Sequence, residues 1–461
     1  MDAGTLNIRW PVLSPQLDPC KLNSTFDWLI AHNLVGTLIF SDHLGEPQGY
    51  LAKTWDYTLD GKEVTFDVAD DAYFSDGAEI VAEDVAFTFK RLILKGASHL
   101  EAKRMIVGGE QLTRIDQEIP GIKVLDKKRI KFLLQGAAPT FFFMCTIADT
   151  GIISRRQVDK DLQVISWEIT SGAYRVISQK ADEWILAANK ACQCYSASAP
   201  QVVNIKISNS KEAWSPETYK EKITTLLNKM EARECDLFYY PPFPNSQITG
   251  MIGERKNIKT YGSRDIRTLF LLFNFDPPFN DLQFRQFLFG KLAGNPDFIH
   301  GDPLFKSTRQ LIPTDIVQPI SETDIDDMIS EFDPKPPQEK WQVELTMPPA
   351  AQLTACEERL LPMFQELRGE ITFHTPTADD LFTILEDANY RMFLVSSSIN
   401  SKDVTACMNY LFGPFIKKYP HMKEFQELEK MLRQSEAATT KAEKMEAYRA
   451  ISRHLIKNVL V

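Results

Sequence analysis

Residues 50–91 constrain the fold of this chain most strongly, because they place an alternating apolar segment, two turn dipeptides and an amphipathic pattern in direct succession. Val64, Phe66 and Val68 alternate with polar residues, so this segment has one apolar face and one polar face. Such alternation predicts a β-strand that buries one side. The sequence thus predicts a strand, tight turns and a helix within one short span.

The turns and the helix each have a physical signature. Asp60-Gly61 and Asp76-Gly77 predict tight turns, because glycine accepts positive φ and aspartate bonds to nearby backbone amides. After Ala82, Val85 and Phe89 begin an apolar stripe at helical spacing. Acidic residues in the first turn and basic residues near the end match the helix dipole. We therefore expect an amphipathic helix that begins at Ala82.

The order of these motifs resembles the signature of the bacterial extracellular solute-binding proteins of family 5, which are the oligopeptide, dipeptide and nickel receptors of ABC importers. The matching motifs of this span are Leu51-Ala52, Trp55, Asp60-Gly61, Thr65-Phe66, Phe74–Gly77 and Ala82–Val85. Further segments that resemble the family in order are Leu17–Pro19, His32–Phe40, Arg129–Met144, Ser171–Tyr174, Asn189, Tyr195, Glu234–Asp236 and Asn274–Arg285. The ordered set covers most of the chain and is far more specific than any one motif.

The resemblance implies an α/β fold of the periplasmic binding protein type (cluster C), with two hinged lobes and an inserted third lobe. We expect residues 1–40 and 166–262 to form lobe I, residues 41–165 the inserted lobe II, and residues 263–461 lobe III. Family members usually return to lobe I after lobe III, and we expect that return to be missing here, either because the tail was removed or because this branch is short. Residues 321–333 form an acidic run followed by prolines, which predicts a linker.

The function implied by the resemblance is that of an extracytoplasmic receptor that traps a peptide-like or other small polar solute between lobes by hinge closure. The expected partners are that ligand and the ABC permease subunits in the membrane, and the receptor is expected to be a monomer without a cofactor. Two rivals remain. One is a ligand-sensing domain that serves regulation without transport. The other is an enzyme, which the sequence does not favour because it contains no nucleophile or phosphate-binding motif.

The composition of the chain limits which partners the protein can bind and where in the cell it is expected. The formal charge of −10 argues against a nucleic-acid-binding surface. No apolar run approaches the roughly 20 residues that span a bilayer. The sequence begins at Met1 without an export signal, so we interpret this start as following signal removal and expect a periplasmic location. The alternative is a cytosolic relative.

The histidines and cysteines do not predict a metal centre. The seven histidines are widely spaced, and the seven cysteines include only one close pair, Cys192 and Cys194. On an extended strand these two side chains would diverge, so a bond between them is expected to be strained. Most of the cysteines are predicted to be buried thiols.

The candidate ligand-binding residues follow a late predicted strand. Peptide-binding members carry Trp-x-x-Asp there, and the Asp pairs with the α-ammonium of the peptide. Here Ser397 stands at the Trp position and Asn400 at the Asp position, although a shifted alignment gives Asp403 that role. We therefore expect Ser396, Ser397, Ser398, Asn400 and Asp403 to line the site. The alternative is a polar loop after the strand.

Other candidates each have a structural alternative. Tyr174 either faces the ligand or begins a strand, and Asn274 either enters the cleft or ties two hinge strands together. Trp167 either stacks on the ligand or belongs to the core. Arg285 is expected to form a structural ion pair. Val81 stands at the start of the Ala82 helix, where family members have Thr, so the N-cap is expected to be weaker by about 1 kcal/mol.

Overall fold

The structure is a computed structural model of the whole chain. It describes the following residues: 4–10, 16–22, 25–42, 47–58, 60–96, 102–136, 141–142, 144–207, 216–238, 246–259, 267–292, 309–312, 320–337, 340–347, 356–376, 384, 387–398, 404–438 and 440–460. The chain divides into two compact units. Unit 1 comprises Met1–Glu212 and Arg233–Tyr239, and unit 2 comprises Ala213–Ala232 and Tyr240–Val461. The three-lobe division remains a prediction.

Unit 1 contains more strands than helices among its described residues. In order they are β1 (Thr5–Trp10), α1 (Thr25–Leu34), β2 (Ile39–Ser41), β3 (Pro47–Gly49), β4 (Ala52–Tyr57), β5 (Glu63–Val68), α2 (Ala82–Lys95), α3 (Ala102–Met105), β6 (Ile122–Val124), β7 (Arg129–Leu133), β8 (Tyr174–Gln179), β9 (Glu183–Ala188), β10 (Val202–Ile207) and β11 (Leu237–Phe238). Short 3-10 helices lie at Pro19–Lys21, Gly109–Gln111, Ala148–Thr150 and Arg155–Gln157.

Unit 1 contains two main sheets with separate hydrophobic cores. One sheet has the order β11-β1-β10-β9-β8, in which β1 runs parallel to both β10 and β11. The other has the order β4-β5-β7-β6 and is antiparallel throughout. The core of the first is built around α1 and Trp184, and the core of the second around α2 and Phe66. A two-stranded ribbon of β2 and β3 completes the strands described in this unit.

The strand–turn–helix prediction is confirmed in the antiparallel sheet. Val64, Phe66 and Val68 are fully buried on one face of β5. The two predicted turns form with positive φ at Gly61 and Gly77, as glycine permits. The helix begins at Ala82, and its apolar stripe packs into the same core as β5. This unit is therefore specified locally, by alternation, turn residues and helical period.

Unit 2 is built around a mixed sheet with helices. Its elements are α4 (Pro216–Glu231), α5 (Ser246–Gly253), β12 (Arg267–Phe273), α6 (Leu282–Leu292), α7 (Glu322–Ser330), β13 (Trp341–Thr346), α8 (Cys356–Glu366), β14 (Gly369–His374), β15 (Met392–Ser398), α9 (Val404–Lys418), α10 (Lys423–Ala437) and α11 (Lys441–Asn458). The sheet order is β12-β15-β13-β14, with β13 parallel to β14 and β15 and with β12 antiparallel to β15. Aromatic residues of the helices and strands share one large core.

The linker prediction for residues 321–333 was wrong, because most of that run forms helix α7. The Ser321 hydroxyl caps the helix by accepting from the Asp324 amide at 3.0 Å. Acidic residues in the first turn are favourable there because they face the positive end of the helix dipole. Ile325 is fully buried and attaches the helix to its unit. The acidic composition obscured a helix start that Ser321 signals.

Candidate functional site

The serine run Ser396–Ser398 forms the last part of β15. The antiparallel register pairs Ser396, Ser397 and Ser398 with Leu269, Thr268 and Arg267 at the start of β12. The preceding residues Met392–Val395 are buried in the core of unit 2. The strand thus changes from a buried apolar segment to a polar one where it approaches its end.

The serine run also extends past the neighbouring parallel strand. Phe393 of β15 pairs with Thr346, which is the last residue of β13. Ser396 is three residues further along, about 10 Å at the rise of a β-strand. Ligands of open α/β sheets bind outside the carboxyl ends of the strands, and Ser396–Ser398 occupy such an end. Hydroxyl groups can donate and accept hydrogen bonds, so the segment is chemically suited to a polar ligand.

Two of the predicted site residues, Asn400 and Asp403, lie outside the described residues. Both follow the end of β15 at Ser398 within five positions in sequence. The question of which of them occupies the family's Asp position therefore stays a prediction.

Asn274 lies at the opposite end of the β12–β15 pair from the serine run. Its amide donates to the Arg391 carbonyl at 3.0 Å, and its side-chain Nδ2 donates to the Asp276 carboxylate at 3.2 Å. Thr268, which pairs with Ser397, is six residues earlier, or about 20 Å along the strand. One small solute cannot contact both ends. The side-chain Oδ1 of Asn274 is buried and accepts no hydrogen bond from the described residues.

Tyr174 begins β8, an edge strand of the first sheet of unit 1. Its hydroxyl donates to the Pro200 carbonyl at 2.9 Å, and its own carbonyl accepts from the Thr170 hydroxyl at 2.8 Å. Burial raises the pKa of the Tyr174 phenol, so the group is a neutral donor. A ligand that used this hydroxyl would compete with the Pro200 carbonyl.

Trp167 is 9% exposed and belongs to the hydrophobic core of the first sheet. Its carbonyl accepts from the Val176 amide at 3.0 Å, which attaches the residue to β8. Ring stacking on a solute would require this side chain to leave a packed environment.

The family motif at Ser171–Tyr174 joins three segments of unit 1. The Gly36 amide donates to the Ser171 hydroxyl at 2.9 Å, and the Asn189 side chain donates to the Gly172 carbonyl at 2.8 Å. A Cβ at Gly172 would lie 2.6 Å from the Leu34 carbonyl carbon, so only glycine fits this close approach. The motif therefore holds the backbone together, which explains its residue types without a ligand.

The expectation for Cys192 and Cys194 was wrong in its geometry. The two residues lie in a turn after β9 instead of on an extended strand, and they form a disulfide with Cα atoms 5.3 Å apart. Sequence reasoning also missed Tyr50, whose hydroxyl lies 3.3 Å from the Cys192 sulfur and 3.4 Å from the Cys194 sulfur. Only the tertiary structure brings Tyr50 to this turn. The prediction of buried thiols is confirmed for Cys20, Cys145 and Cys235.

Neither a metal centre nor a membrane-spanning helix is found among the described residues. No group of three or more His, Cys, Asp or Glu side chains in that part of the chain is arranged to hold a metal ion. Among the helices described, none combines the length and apolar character needed to cross a membrane.

Comparisons with known proteins agree with this fold. The model of the middle region of the bacterial extracellular solute-binding proteins, family 5, matches residues 46–288, slightly more than half of the chain. The periplasmic oligopeptide-binding protein OppA of Escherichia coli is 26% identical over 182 residues, which cover 37% of this chain and 33% of the relative. The probable D,D-dipeptide-binding periplasmic protein DdpA of Escherichia coli is 24% identical over 286 residues, or 59% of this chain and 49% of the relative. The sequence match thus spans a third to a half of these curated relatives.

Solved structures match nearly the whole chain. The dipeptide-binding protein of a Pseudoalteromonas species in complex with Met-Leu has a TM-score of 0.74 at 17% identity, covering 99% of this chain and 93% of that one. NikA of Brucella suis in complex with Fe(III)-EDTA has a TM-score of 0.75 at 15% identity, with 99% and 92% covered. At such identities the match establishes the fold, which is the α/β periplasmic-binding-protein fold expected from the sequence.

Proposed function

The chain belongs to the bacterial extracellular solute-binding proteins of family 5, and we propose that it is the extracytoplasmic receptor of an ABC importer. The observation that carries this proposal is the family match across residues 46–288. The receptor would deliver its ligand to permease subunits in the membrane as a monomer, without making or breaking a bond. The proposed location is the periplasm or its extracytoplasmic equivalent.

The proposed ligand is a peptide-like or other small polar solute, held by closure of the protein around it. Support comes from relatives, whose names describe oligopeptide- and dipeptide-binding proteins. Closure would withdraw the ligand from water, as in other hinged binding proteins. Native mass spectrometry of the purified protein is expected to detect a co-purified solute, and small-angle scattering should show compaction when that solute is added back. A ligand that binds without compaction would refute closure.

The serine run at the end of β15 is the proposed contact region. We expect Ser397→Trp to reduce solute affinity by at least about tenfold, because an indole would fill the space of a bound polar group. Ser330→Trp is the matched control, since Ser330 is an exposed serine of the same unit at the end of α7. Calorimetry that finds equal affinity for both variants and the parent protein would remove Ser397 from the site.

We also propose that the site does not favour a ligand with a positively charged amino end. Asn400 is neutral, and a charge-assisted bond contributes about 1.5–3 kcal/mol, so a site without it should hold an α-ammonium roughly tenfold to a hundredfold more weakly. Paired peptides with free and acetylated amino ends are expected to bind with similar affinity. A strong preference for the free amino end would instead point to Asp403, and Asp403→Asn should then abolish that preference.

A further inference from the structure

We propose that the Cys192–Cys194 disulfide is a thiol–disulfide exchange site, with the Cys194 sulfur as the atom attacked by an external thiolate and Tyr50 as a donor to the sulfur that leaves. The site lies within unit 1, in the turn that follows β9. It is independent of the proposed transport function. Nothing in the family signature requires either cysteine.

Stabilisation of the fold does not explain this disulfide. The bond closes a ring across the single residue Gln193. A cross-link stabilises a fold mainly by restricting the unfolded chain, and this restriction grows with the length of the closed loop. A bond between neighbours in a turn restricts almost nothing. The pair is therefore better suited to chemistry than to stability.

The two sulfurs differ in solvent exposure, and this difference determines which of them an external thiolate can attack. Cys194 is exposed, whereas Cys192 is only 7% exposed. An incoming thiolate must approach along the S–S axis of the accessible sulfur, which selects Cys194. The bond electrons then move to the buried Cys192 sulfur as it leaves.

Two donors surround the Cys192 sulfur. The Tyr50 hydroxyl lies 3.3 Å away, and the Cys194 amide donates to the same sulfur at 3.3 Å. The sulfurs of a disulfide carry no hydrogen, so the hydroxyl must be the donor. Burial raises the pKa of Tyr50 to about 12, which keeps the hydroxyl protonated and able to donate. Both donors would stabilise the negative charge that develops on Cys192, and a better leaving thiol leaves faster.

Neighbouring contacts hold the turn in place for this reaction. The Gln193 side chain donates to the Asp71 carboxylate at 2.6 Å, and the Tyr195 amide donates to the Cys192 carbonyl at 2.9 Å. The Tyr50 amide donates to the Leu38 carbonyl at 3.0 Å, which fixes the base of the tyrosine. Tyr50 and the disulfide are thus held by separate sets of contacts, and the tertiary structure places them next to each other.

The reaction balances with a dithiol as the partner. One thiolate of the dithiol attacks the Cys194 sulfur, forms a mixed disulfide and releases Cys192 as a thiolate, which takes up a proton. The second thiolate then attacks the partner's own sulfur in the mixed disulfide and releases Cys194, which is also protonated. Two electrons and two protons pass to the cysteine pair, and the dithiol becomes a disulfide. The reverse sequence oxidises the pair.

Other cysteines of unit 1 provide an internal reference. Burial raises the pKa of Cys20 to about 12, and it also raises the pKa of the Cys145 and Cys235 thiols above their ordinary value. These buried thiols should be poor nucleophiles in the folded protein. Labelling in native buffer can therefore distinguish the exchange site from these three buried thiols.

The test is reduction of the folded, full-length protein by dithiothreitol, followed by maleimide labelling and peptide mass mapping. We expect Cys192 and Cys194 to gain labels only after reductant is added, while Cys20, Cys145 and Cys235 stay unlabelled. Labelling of both cysteines without reductant would overturn the proposal, because the bond would not exist in solution. A bond that opens only in denaturant would overturn it equally.

Single variants test the direction of attack. In Cys192→Ser the remaining Cys194 thiol should react with an aromatic disulfide at least about tenfold faster than Cys192 does in Cys194→Ser, because reactivity follows access and thiolate character. Equal rates would refute Cys194 as the attacked atom.

Tyr50→Phe tests the donor role, because it keeps the ring and removes the hydroxyl. We expect reduction by dithiothreitol to slow by about threefold to tenfold, since the leaving thiolate loses one of its donors. Tyr57→Phe is the control, as Tyr57 is 62% exposed and lies elsewhere in the unit. An unchanged rate for Tyr50→Phe would exclude the tyrosine from the site.

Discussion

Units 1 and 2 each bury an arginine, but they satisfy its charge in different ways. In unit 1, Arg91 of α2 forms an ion pair with Asp18 at 2.6 Å, and both side chains are almost fully buried. The same guanidinium donates to the Leu162 carbonyl at 2.8 Å and to the Cys20 sulfur at 3.0 Å. A full negative charge thus lies beside the cation, away from water.

In unit 2, Arg285 of α6 is satisfied mainly by dipoles. It donates to the Phe279 carbonyl at 2.8 Å and to the Asn458 carbonyl at 3.1 Å, and it lies 5.0 Å from the centre of the Phe275 ring. Glu424 is more distant, at 3.4 Å, and is 22% exposed. Burial lowers the pKa of Arg285, and the Glu424 carboxylate opposes that shift. The predicted structural ion pair is present, but it is the weaker part of the arrangement.

The difference shows that a buried arginine does not require a buried carboxylate. Removing one member of a buried ion pair leaves the other charge without compensation, whereas removing a guanidinium from carbonyl groups leaves only neutral acceptors. The two units should therefore respond differently to the same substitution, and four experiments test or refine that expectation.

The largest effect is expected for Arg91→Met in unit 1. Asp18 would remain buried without its cation, so the free energy of unfolding should fall by about 3–5 kcal/mol. Urea unfolding measures this loss. Adding Asp18→Asn to Arg91→Met should restore about 1–3 kcal/mol, because the uncompensated charge is gone. Additive losses in the double variant would contradict the ion-pair interpretation.

Arg285→Met should cost about 2–4 kcal/mol, because the Phe279 and Asn458 carbonyl groups lose their donor. Here Glu424 can be hydrated, so adding Glu424→Gln should restore little of the loss. Urea unfolding of the single and double variants decides the matter. Recovery as large as in unit 1 would show that the two arginines are held in the same way.

Asp149 of unit 1 is a third buried charged group, and one of its hydrogen-bond partners is neutral. It accepts from the neutral indole N–H of Trp28 at 2.9 Å, and burial raises its pKa from 3.8 to about 7. Between these two values the folded state binds more protons than the unfolded state, so stability is greatest below the lower value and falls as pH rises to the higher one.

We expect Asp149→Asn to raise the free energy of unfolding at pH 8 by about 1–2 kcal/mol, since one pKa unit corresponds to about 1.4 kcal/mol. Near pH 4 the variant and the parent should be much closer in stability. Unfolding measured across this pH range provides the check. A variant that is equally destabilised at both pH values would show that the carboxyl group acts through packing and not through its proton.

The smallest effect concerns the helix caps of the two units. Val81 precedes α2 and offers no side-chain acceptor, although its own amide donates to the Asp84 carboxylate at 3.0 Å. Val81→Thr should therefore stabilise the protein by about 0.5–1 kcal/mol. In unit 2, Ser321→Ala at the start of α7 should destabilise it by about 1 kcal/mol. Thermal unfolding of both variants checks the opposite signs, and a shared sign would refute the cap assignment.

The sequence predicted the β5–α2 segment better than it predicted the order of strands in the sheets, for a physical reason. Alternation in β5, the glycines of two turns and the stripe of α2 are local signals, and each is read within a few residues. The sheet orders depend instead on distant pairings, because β12 pairs with β15 more than a hundred positions away in unit 2 and β1 pairs with β10 nearly two hundred positions away in unit 1. Local periodicity contains no information about such pairings. The α7 helix is hard to predict because its acidic composition is typical of a linker, although Ser321 is a good N-cap residue.

The sequence by itself determined the family, the α/β class and the polar character of Ser396–Asn400, because these depend on residue types and their order. Only the tertiary structure decided that Asn274 and Ser397 lie at opposite ends of one strand pair, about 20 Å apart. It also decided that Tyr50 contacts the Cys192–Cys194 turn and that Asp18 neutralises Arg91. These contacts join residues 73 to 142 positions apart, and folding brings them together because buried polar groups must find partners.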